Sequence, residues 1–178
     1  NVPRIEAAEM QTYIEDNYQI EASKISEIIQ KAQGNWVVAK DLINHANSDE
    51  EFQGLFIQWV RNAFMAKKKP EVIREIIKWS HHISSWNRDR QIKFLEYCTE
   101  IFRLAILQNY GNTDLVYKKL DLNNFNWDAF SGYIHGANIE SILQEISEAS
   151  YHISRNANAK IVWSDMGIKL TRYIHRKP

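Results

Sequence analysis

The chain has 178 residues, of which 44% are hydrophobic and 25% are charged, a composition typical of a globular protein that buries a sizeable core. Its 22 lysines and arginines balance 22 aspartates and glutamates, so no overall positive field would hold it on nucleic acid or on an anionic membrane. No apolar run approaches the roughly 20 residues that a membrane-spanning helix needs, so we expect a soluble protein without membrane contact.

The first third of the chain predicts three short helices. Only six glycines and three prolines punctuate the whole sequence, and its apolar residues recur every three or four positions, which indicates an all-α fold. "NVPRI" is expected to be extended, and Gly34 and Asn35 to supply a C-cap and an N-cap. The predicted helices cover about residues 7–16, 21–33 and 36–45.

"NHANSDEEF", residues 44–52, is the best candidate for a domain boundary, because Ser48 followed by acidic residues suits a new helix start. We therefore expect a three-helix unit over residues 1–46 and a larger helical bundle over residues 47–178. The helices of the bundle are predicted at about residues 49–67, 70–84, 89–110 (the longest), 138–154 and 159–175, with short helical pieces over 115–134.

The last two helices are joined by "RNAN", residues 155–158, which could be a ligand-binding loop or a cap. Asn156 or Asn158 can leave the helical conformation and cap the last helix, while the side chain of Arg155 reaches the free carbonyls of the preceding helix. We prefer the structural interpretation, in which the segment is a hinge.

The sequence gives little indication of a catalytic site. The glycines do not form a phosphate-binding loop, so we expect no nucleotide hydrolysis. His81 and His82 are adjacent, so their side chains point about 100° apart on a helix and do not match the spacing of zinc ligands. His152, Ser164 and Asp165 lack the strand-turn-helix setting of a hydrolytic triad. We expect no catalytic residue, no metal and no cofactor.

The single cysteine, Cys98, excludes an internal disulfide and fits a reducing cytoplasm. Its neighbours Phe94, Leu95, Ile101 and Phe102 are apolar, so we interpret it as a buried core residue rather than a nucleophile.

Two surface features remain as binding hypotheses. Lys67, Lys68 and Lys69, near Arg61 and Arg74, could contact phosphates, although a solvated loop explains them as well. The aromatic residues exceed what a bundle of this size requires, and a minority is expected at a partner surface, where aromatic side chains are favoured. The interface candidates are Trp36, Trp127, Tyr133, Trp163 and Tyr173.

Five segments, in order, give the chain a family resemblance: "NVPRI", "ISEIIQKAQGNWVVAKDLI", "FQGLFIQWVRNAF", "RDRQIKFLEYCTEIFR" and "GANIESILQEISEASYHISRNANAKIVWSDMGIKL". Together they resemble the delta-prime subunits of bacterial DNA polymerase III, which belong to the sliding-clamp loader. The resemblance covers essentially the whole chain and implies a lid and a helical collar, with the AAA+ core expected upstream of Asn1.

The resemblance further implies a cytoplasmic, non-catalytic assembly module. Its partners would be the motor and delta subunits of the clamp loader, its contact with DNA would be indirect or weak, and self-association of the chain stays open. The polymerase activity belongs to the parent complex. One departure agrees with this role: lids that sense ATP commonly read Gly-Asp-x-Arg-x-Ala, whereas "GNWVVA" has valine in place of the arginine and cannot supply its charge.

Two alternatives remain beside the assembly module. A helical nucleic-acid-binding domain would use the lysine cluster and the surplus of aromatic residues. An unrelated all-helical enzyme would use His81, His82 or His152.

Overall fold

The computed structural model describes residues 6–18 and 22–178, except for the side chains of residues 23, 24, 27, 41 and 44–48. The expectation for "NVPRI" lies outside these residues. The described part of the chain is helical and contains no strand, which confirms the predicted all-α bundle.

The α-helices are α1 (Ala7–Asn17), α2 (Ala22–Ala32), α3 (Trp36–Ala66), α4 (Ile73–Ser84), α5 (Arg88–Asn109), α6 (Trp127–Ser131), α7 (Gly136–Ser154) and α8 (Ala159–Tyr173). Single 3-10 turns lie at Pro70–Val72, Thr113–Leu115 and Leu122–Asn124. None of the helices in the described part of the chain is long and apolar enough to cross a membrane.

The chain divides into two compact units, residues 1–52 and residues 53–178, and the division falls within α3. The helix break predicted over residues 44–52 is therefore wrong, and α3, with 31 residues, replaces α5 as the longest helix. Neither glycine nor proline occurs between Asn35 and Gln53, and the exposed Asp49 and Glu50 are tolerated on a solvent-facing side of a helix. The polar composition of the segment indicated a linker, but it breaks no backbone hydrogen bond.

Residues 1–52 form a small unit in which α1 and α2 pack against the first part of α3. The buried residues of its core are Met10, Ile14, Ile25, Ile28, Ala32, Ala39 and Ile43. Gly34 has a φ of 80°, a left-handed conformation that glycine adopts without strain, and the side chain of Asn35 accepts a hydrogen bond from Val37 N at 3.0 Å. Both predicted caps between the second and third helices are thus confirmed.

A cluster of stacked and edge-on aromatic rings lies within the mostly aliphatic core of residues 53–178. The indoles of Trp59 on α3 and Trp79 on α4 stack with their ring centroids 5.1 Å apart. Trp59 Nε1 donates to the carbonyl of Gly167 on α8 at 3.2 Å, and Trp79 Nε1 donates to the carbonyl of Leu55 at 3.0 Å. Because both polar tips of these buried rings are satisfied, the pair fixes the arrangement of α3, α4 and α8.

At Gly167 the backbone of α8 packs closely against side chains of α4. A Cβ at this position would lie 2.9 Å from Ile76 Cγ2 and 3.4 Å from both Trp79 and Ser80. Ile76 is fully buried, so its methyl group has little room to move.

The segment 155–158 has the structural role that the sequence predicts. Asn156 has a φ of 62°, and Asn158 is the N-cap of α8, with its side-chain oxygen accepting from Lys160 N at 3.1 Å. The expectation for the Arg155 side chain is corrected: its guanidinium lies over the ring of Tyr151, 4.7 Å from the centroid. The segment is a capped turn between α7 and α8.

Gly167→Ala should destabilise residues 53–178 by about 1–2 kcal/mol, because overpacking a core typically costs more than the roughly 1 kcal/mol that alanine gains in helix propensity. Gly54→Ala on α3 is the matched control, since the nearest atom to its added Cβ is a side-chain carbon at 3.6 Å, and we expect it to be neutral or stabilising. Urea unfolding of both variants checks the prediction, and a Gly167→Ala protein as stable as wild type would contradict it.

Asn158→Ala should lower the free energy of unfolding by about 1 kcal/mol, the usual loss when an N-cap is removed. Asn156→Gly serves as the control, because glycine accepts the left-handed backbone at that position and should leave stability nearly unchanged. Thermal melts of the two variants distinguish a cap from a tolerant loop, and an unchanged melting temperature for Asn158→Ala would place the cap elsewhere.

Candidate partner-binding surface

The structure separates the five aromatic interface candidates into buried and accessible residues. Trp163 is 0% exposed and Trp127 is 5% exposed, so neither offers a surface to a partner. Tyr133 is 50% exposed, and Trp36 and Tyr173 are half-buried. The expectation of a surface position is corrected for Trp127 and Trp163, and a partner contact of the other three stays a prediction.

Trp163 is buried because it lies on the side of α8 that faces α4 and α5. Its ring stacks on Phe94 at 5.7 Å and meets Trp79 edge-on at 5.6 Å. Its Nε1 donates to the side-chain oxygen of Gln91 at 2.7 Å, which satisfies the polar atom inside the core. Trp163 therefore stabilises the bundle.

Trp127 begins α6 and packs against Phe130, with ring centroids 5.8 Å apart. Its Nε1 is buried and lacks a hydrogen-bond partner in the described structure, as does Oε1 of Gln108 on α5. α6 has only five residues, and its apolar side, which includes Trp127, packs against α5. The short, irregular pattern of this region gave no sign of which aromatic rings would point inward.

The accessible candidates lie in different parts of the molecule. Tyr133 packs edge-on against Phe64 with centroids 4.5 Å apart. Trp36, in the smaller unit, meets Tyr13 edge-on at 4.8 Å and, together with Glu9 and Met10, lines a cleft of about 340 Å³. These rings make partial contacts within the chain and keep an accessible face.

Tyr173 belongs to a polar network that joins α7 to α8. Its hydroxyl donates to Glu145 Oε1 at 2.8 Å, and Lys169 Nζ contacts Glu145 Oε2 at 3.0 Å and Asp165 Oδ2 at 2.7 Å. Hydrogen bonds to Asp165 and Glu145 raise the pKa of the Lys169 ammonium above its usual range. Burial, and then the hydrogen bond to Glu145, raises the pKa of the Tyr173 phenol.

This network forms one end of an open groove of about 390 Å³ between α7 and α8. Glu145, Glu148 and His152 line its α7 side, while Ile161, Asp165 and Lys169 line its α8 side. Ala149 and Met166 form an almost fully buried floor. No pattern in the sequence indicates this groove. The spacing of Asp165 and Lys169 could have suggested their ion pair, but the contacts to Glu145 join residues more than 20 positions apart.

The groups considered for catalysis are dispersed. His81 and His82 are exposed on α4, and among the side chains that the structure describes no three His, Cys, Asp or Glu residues are placed to hold a metal ion. His152 and Asp165 both line the α7–α8 groove, where the carboxylate of Asp165 is occupied by Lys169. Ser164 is not among the residues that line this groove.

Cys98 lies fully buried on α5, which confirms its interpretation as a core residue. Burial raises the pKa of its thiol well above the usual range, so the reactive thiolate is disfavoured.

Comparisons of the chain with protein-family models, with curated protein sequences and with solved structures find no match.

Tyr173→Phe should lower the free energy of unfolding at pH 7 by about 0.5–1.5 kcal/mol, the usual value of a hydrogen bond. Because the pKa of Tyr173 is raised in the folded state, its contribution is fully present below about pH 10 and is lost as the pH rises through the folded pKa. The raised pKa of Lys169 acts with the same sign. The wild type should therefore lose more stability than Tyr173→Phe between about pH 9 and 11.

Tyr117→Phe is the matched control, since Tyr117 also donates to a glutamate, Glu100, at 2.6 Å but is 75% exposed. Its effect at pH 7 should stay within about 0.5 kcal/mol. Urea unfolding at several pH values provides the measurement, and parallel losses in the wild type and Tyr173→Phe would refute the assigned role of Tyr173.

Proposed function

We propose that this chain is the lid and collar part of a subunit similar to clamp-loader delta-prime, and that it acts as a non-catalytic assembly module. The observation that carries the proposal is the succession of a small helical unit and a larger all-α bundle, residues 1–52 and 53–178, in the order that the resemblance implies. The five resembling segments are spread over both units.

The start of α3 supports a role without nucleotide sensing. Asn35 caps the helix, and Val37, which stands where a sensing lid has arginine, is 69% exposed. An exposed isopropyl group offers no charge to a phosphate, so this position favours contact with protein over contact with nucleotide.

Exposed apolar side chains on residues 53–178 are also consistent with assembly. Tyr110, Tyr117 and Tyr133 are 62%, 75% and 50% exposed, and Leu115 and Ile161 are 61% and 67% exposed. Aromatic and branched apolar side chains at a surface are favoured where a partner later covers them. In this proposal the partners are the motor and delta subunits, the complex works in the cytoplasm, and DNA is contacted indirectly.

The proposal predicts that the 178-residue chain joins a complex with the motor and delta subunits of the organism that encodes it. Size-exclusion chromatography of the mixed, purified proteins should show the chain eluting earlier, together with those subunits. Bovine serum albumin at equal concentration serves as the control for non-specific association. A folded chain, verified by circular dichroism, that elutes alone in every mixture would refute the proposal.

A nucleic-acid-binding domain is the second candidate, favoured by the exposure of Lys67, Lys68 and Lys69 after α3 and of Arg74 on α4. Arg61 is less available for a contact with phosphate, because its guanidinium already donates a hydrogen bond to the carbonyl of Asn123 at 2.7 Å. Binding through this cluster would fall steeply with salt. Fluorescence anisotropy with primed and single-stranded DNA at low salt decides between the two candidates, because the assembly module predicts weak DNA binding or none. The variant with all three lysines replaced by alanine serves as the control.

A further inference from the structure

The groove between α7 and α8 has the length and shape to receive another helix. Its α7 side presents Glu145, Glu148 and His152, which follow the three- and four-residue spacing of one helical face. At 1.5 Å per residue, this side is about 10 Å long, and the α8 side from Ile161 to Lys169 is about 12 Å long. At a pitch of about 5.4 Å, two walls of this length match about two turns of a third helix packed along them.

The opposite sides of both helices are already used inside the bundle. On α8, Trp163 and Gly167 face α4 and α5, while Ile161 and Asp165 lie on the far side of the helix. The groove is therefore an outward surface of residues 53–178, and its walls are held in place by packing beneath them.

The floor of the groove is apolar and its edge carries an uncovered apolar residue. Met166 and Ala149 are 2% and 3% exposed, Val162 is half-buried, and Ile161 is 67% exposed. An isoleucine on the rim of an apolar groove gains free energy when a partner covers it.

The charges of the groove select the kind of partner. Glu145, Glu148 and Asp165 supply three carboxylates, and Lys169 supplies one ammonium that Glu145 and Asp165 already hold. Two negative charges remain, so the groove repels phosphates and attracts lysine or arginine side chains.

We propose that the α7–α8 groove binds an amphipathic helix of a partner protein, with apolar side chains over Met166 and Ile161 and with lysine or arginine facing Glu148 and Asp165. This inference rests on the proposed assembly function, because it names the surface and the chemistry through which a neighbouring subunit would be held. In this binding mode the partner helix lies along the groove, with its apolar face between the two walls.

The first test uses a synthetic, fluorescent amphipathic helix of about 15 residues, with leucines on one face and lysines along its flanks, and a second peptide with glutamates in place of the lysines. Fluorescence anisotropy should show that the basic peptide binds the wild type at least about tenfold more tightly than the acidic one. Glu148→Lys and Ile161→Ser should each weaken the basic peptide about tenfold.

Matched controls carry the same changes outside the groove. Glu140→Lys alters an exposed glutamate on α7, and Leu115→Ser alters a leucine that is 61% exposed. Both should bind the basic peptide as the wild type does, and circular dichroism verifies that every variant is folded. Equal binding of the two peptides, or groove variants that bind like the controls, would overturn the proposal.

The second test distinguishes this inference from the proposed function. If the wild type joins the motor and delta subunits and the double variant Glu148→Lys, Ile161→Ser joins them equally well, the groove proposal fails and the assembly function stands. If the wild type joins neither subunit but binds the basic peptide through the groove, the assembly function fails and the groove stands. Sedimentation equilibrium tests whether a second copy of this chain occupies the groove instead. If the wild type forms a dimer and the double variant does not, the groove binds a second copy, and the proposal of a partner helix is overturned.

Discussion

The stacked indoles of Trp59 and Trp79 occupy the place where α3, α4 and α8 meet, and the rest of residues 53–178 is arranged around them. Two large flat rings can be buried side by side only if a neighbouring helix approaches closely. Gly167 permits that approach, because a side chain there would overlap Ile76. The carbonyl of the same glycine accepts the hydrogen bond of Trp59, so one residue satisfies both the steric and the polar requirement of the pair.

The groove on the surface of the molecule follows from the way α8 packs against its neighbours. Because one side of α8 is used to cover α4 and α5, its other side lies next to α7 and faces outward, and the α7–α8 groove results. The contacts of Lys169 and Tyr173 with Glu145 then join the two helices at one end of the groove. On α8, the side that packs against the aromatic cluster and the side that lines the charged groove are therefore opposite each other.

Aromatic residues show most clearly where reasoning from the sequence ends. The surplus of rings correctly suggested that some lie at the surface, as Tyr133 does, but it placed Trp127 and Trp163 there as well. Their positions depend on partners far along the chain: Gln91 satisfies the indole of Trp163 from 72 residues away. No local pattern contains that information, because an indole can lie on a stripe, at its edge or in an irregular segment and still be buried when another helix covers it.

The sequence by itself determined the all-α class, most helix ends and the caps at Asn35 and Asn158, because periodicity and capping act between residues a few positions apart. The prediction for residues 44–52 was wrong, because their polar composition indicated a linker although nothing in the backbone interrupts the helix. Only the tertiary structure decided which side of α8 is covered, which aromatic rings stay accessible, and that Glu145, Asp165 and Lys169 meet at one groove. These outcomes depend on helix packing, which joins residues that are distant in sequence and selects among several equally apolar faces.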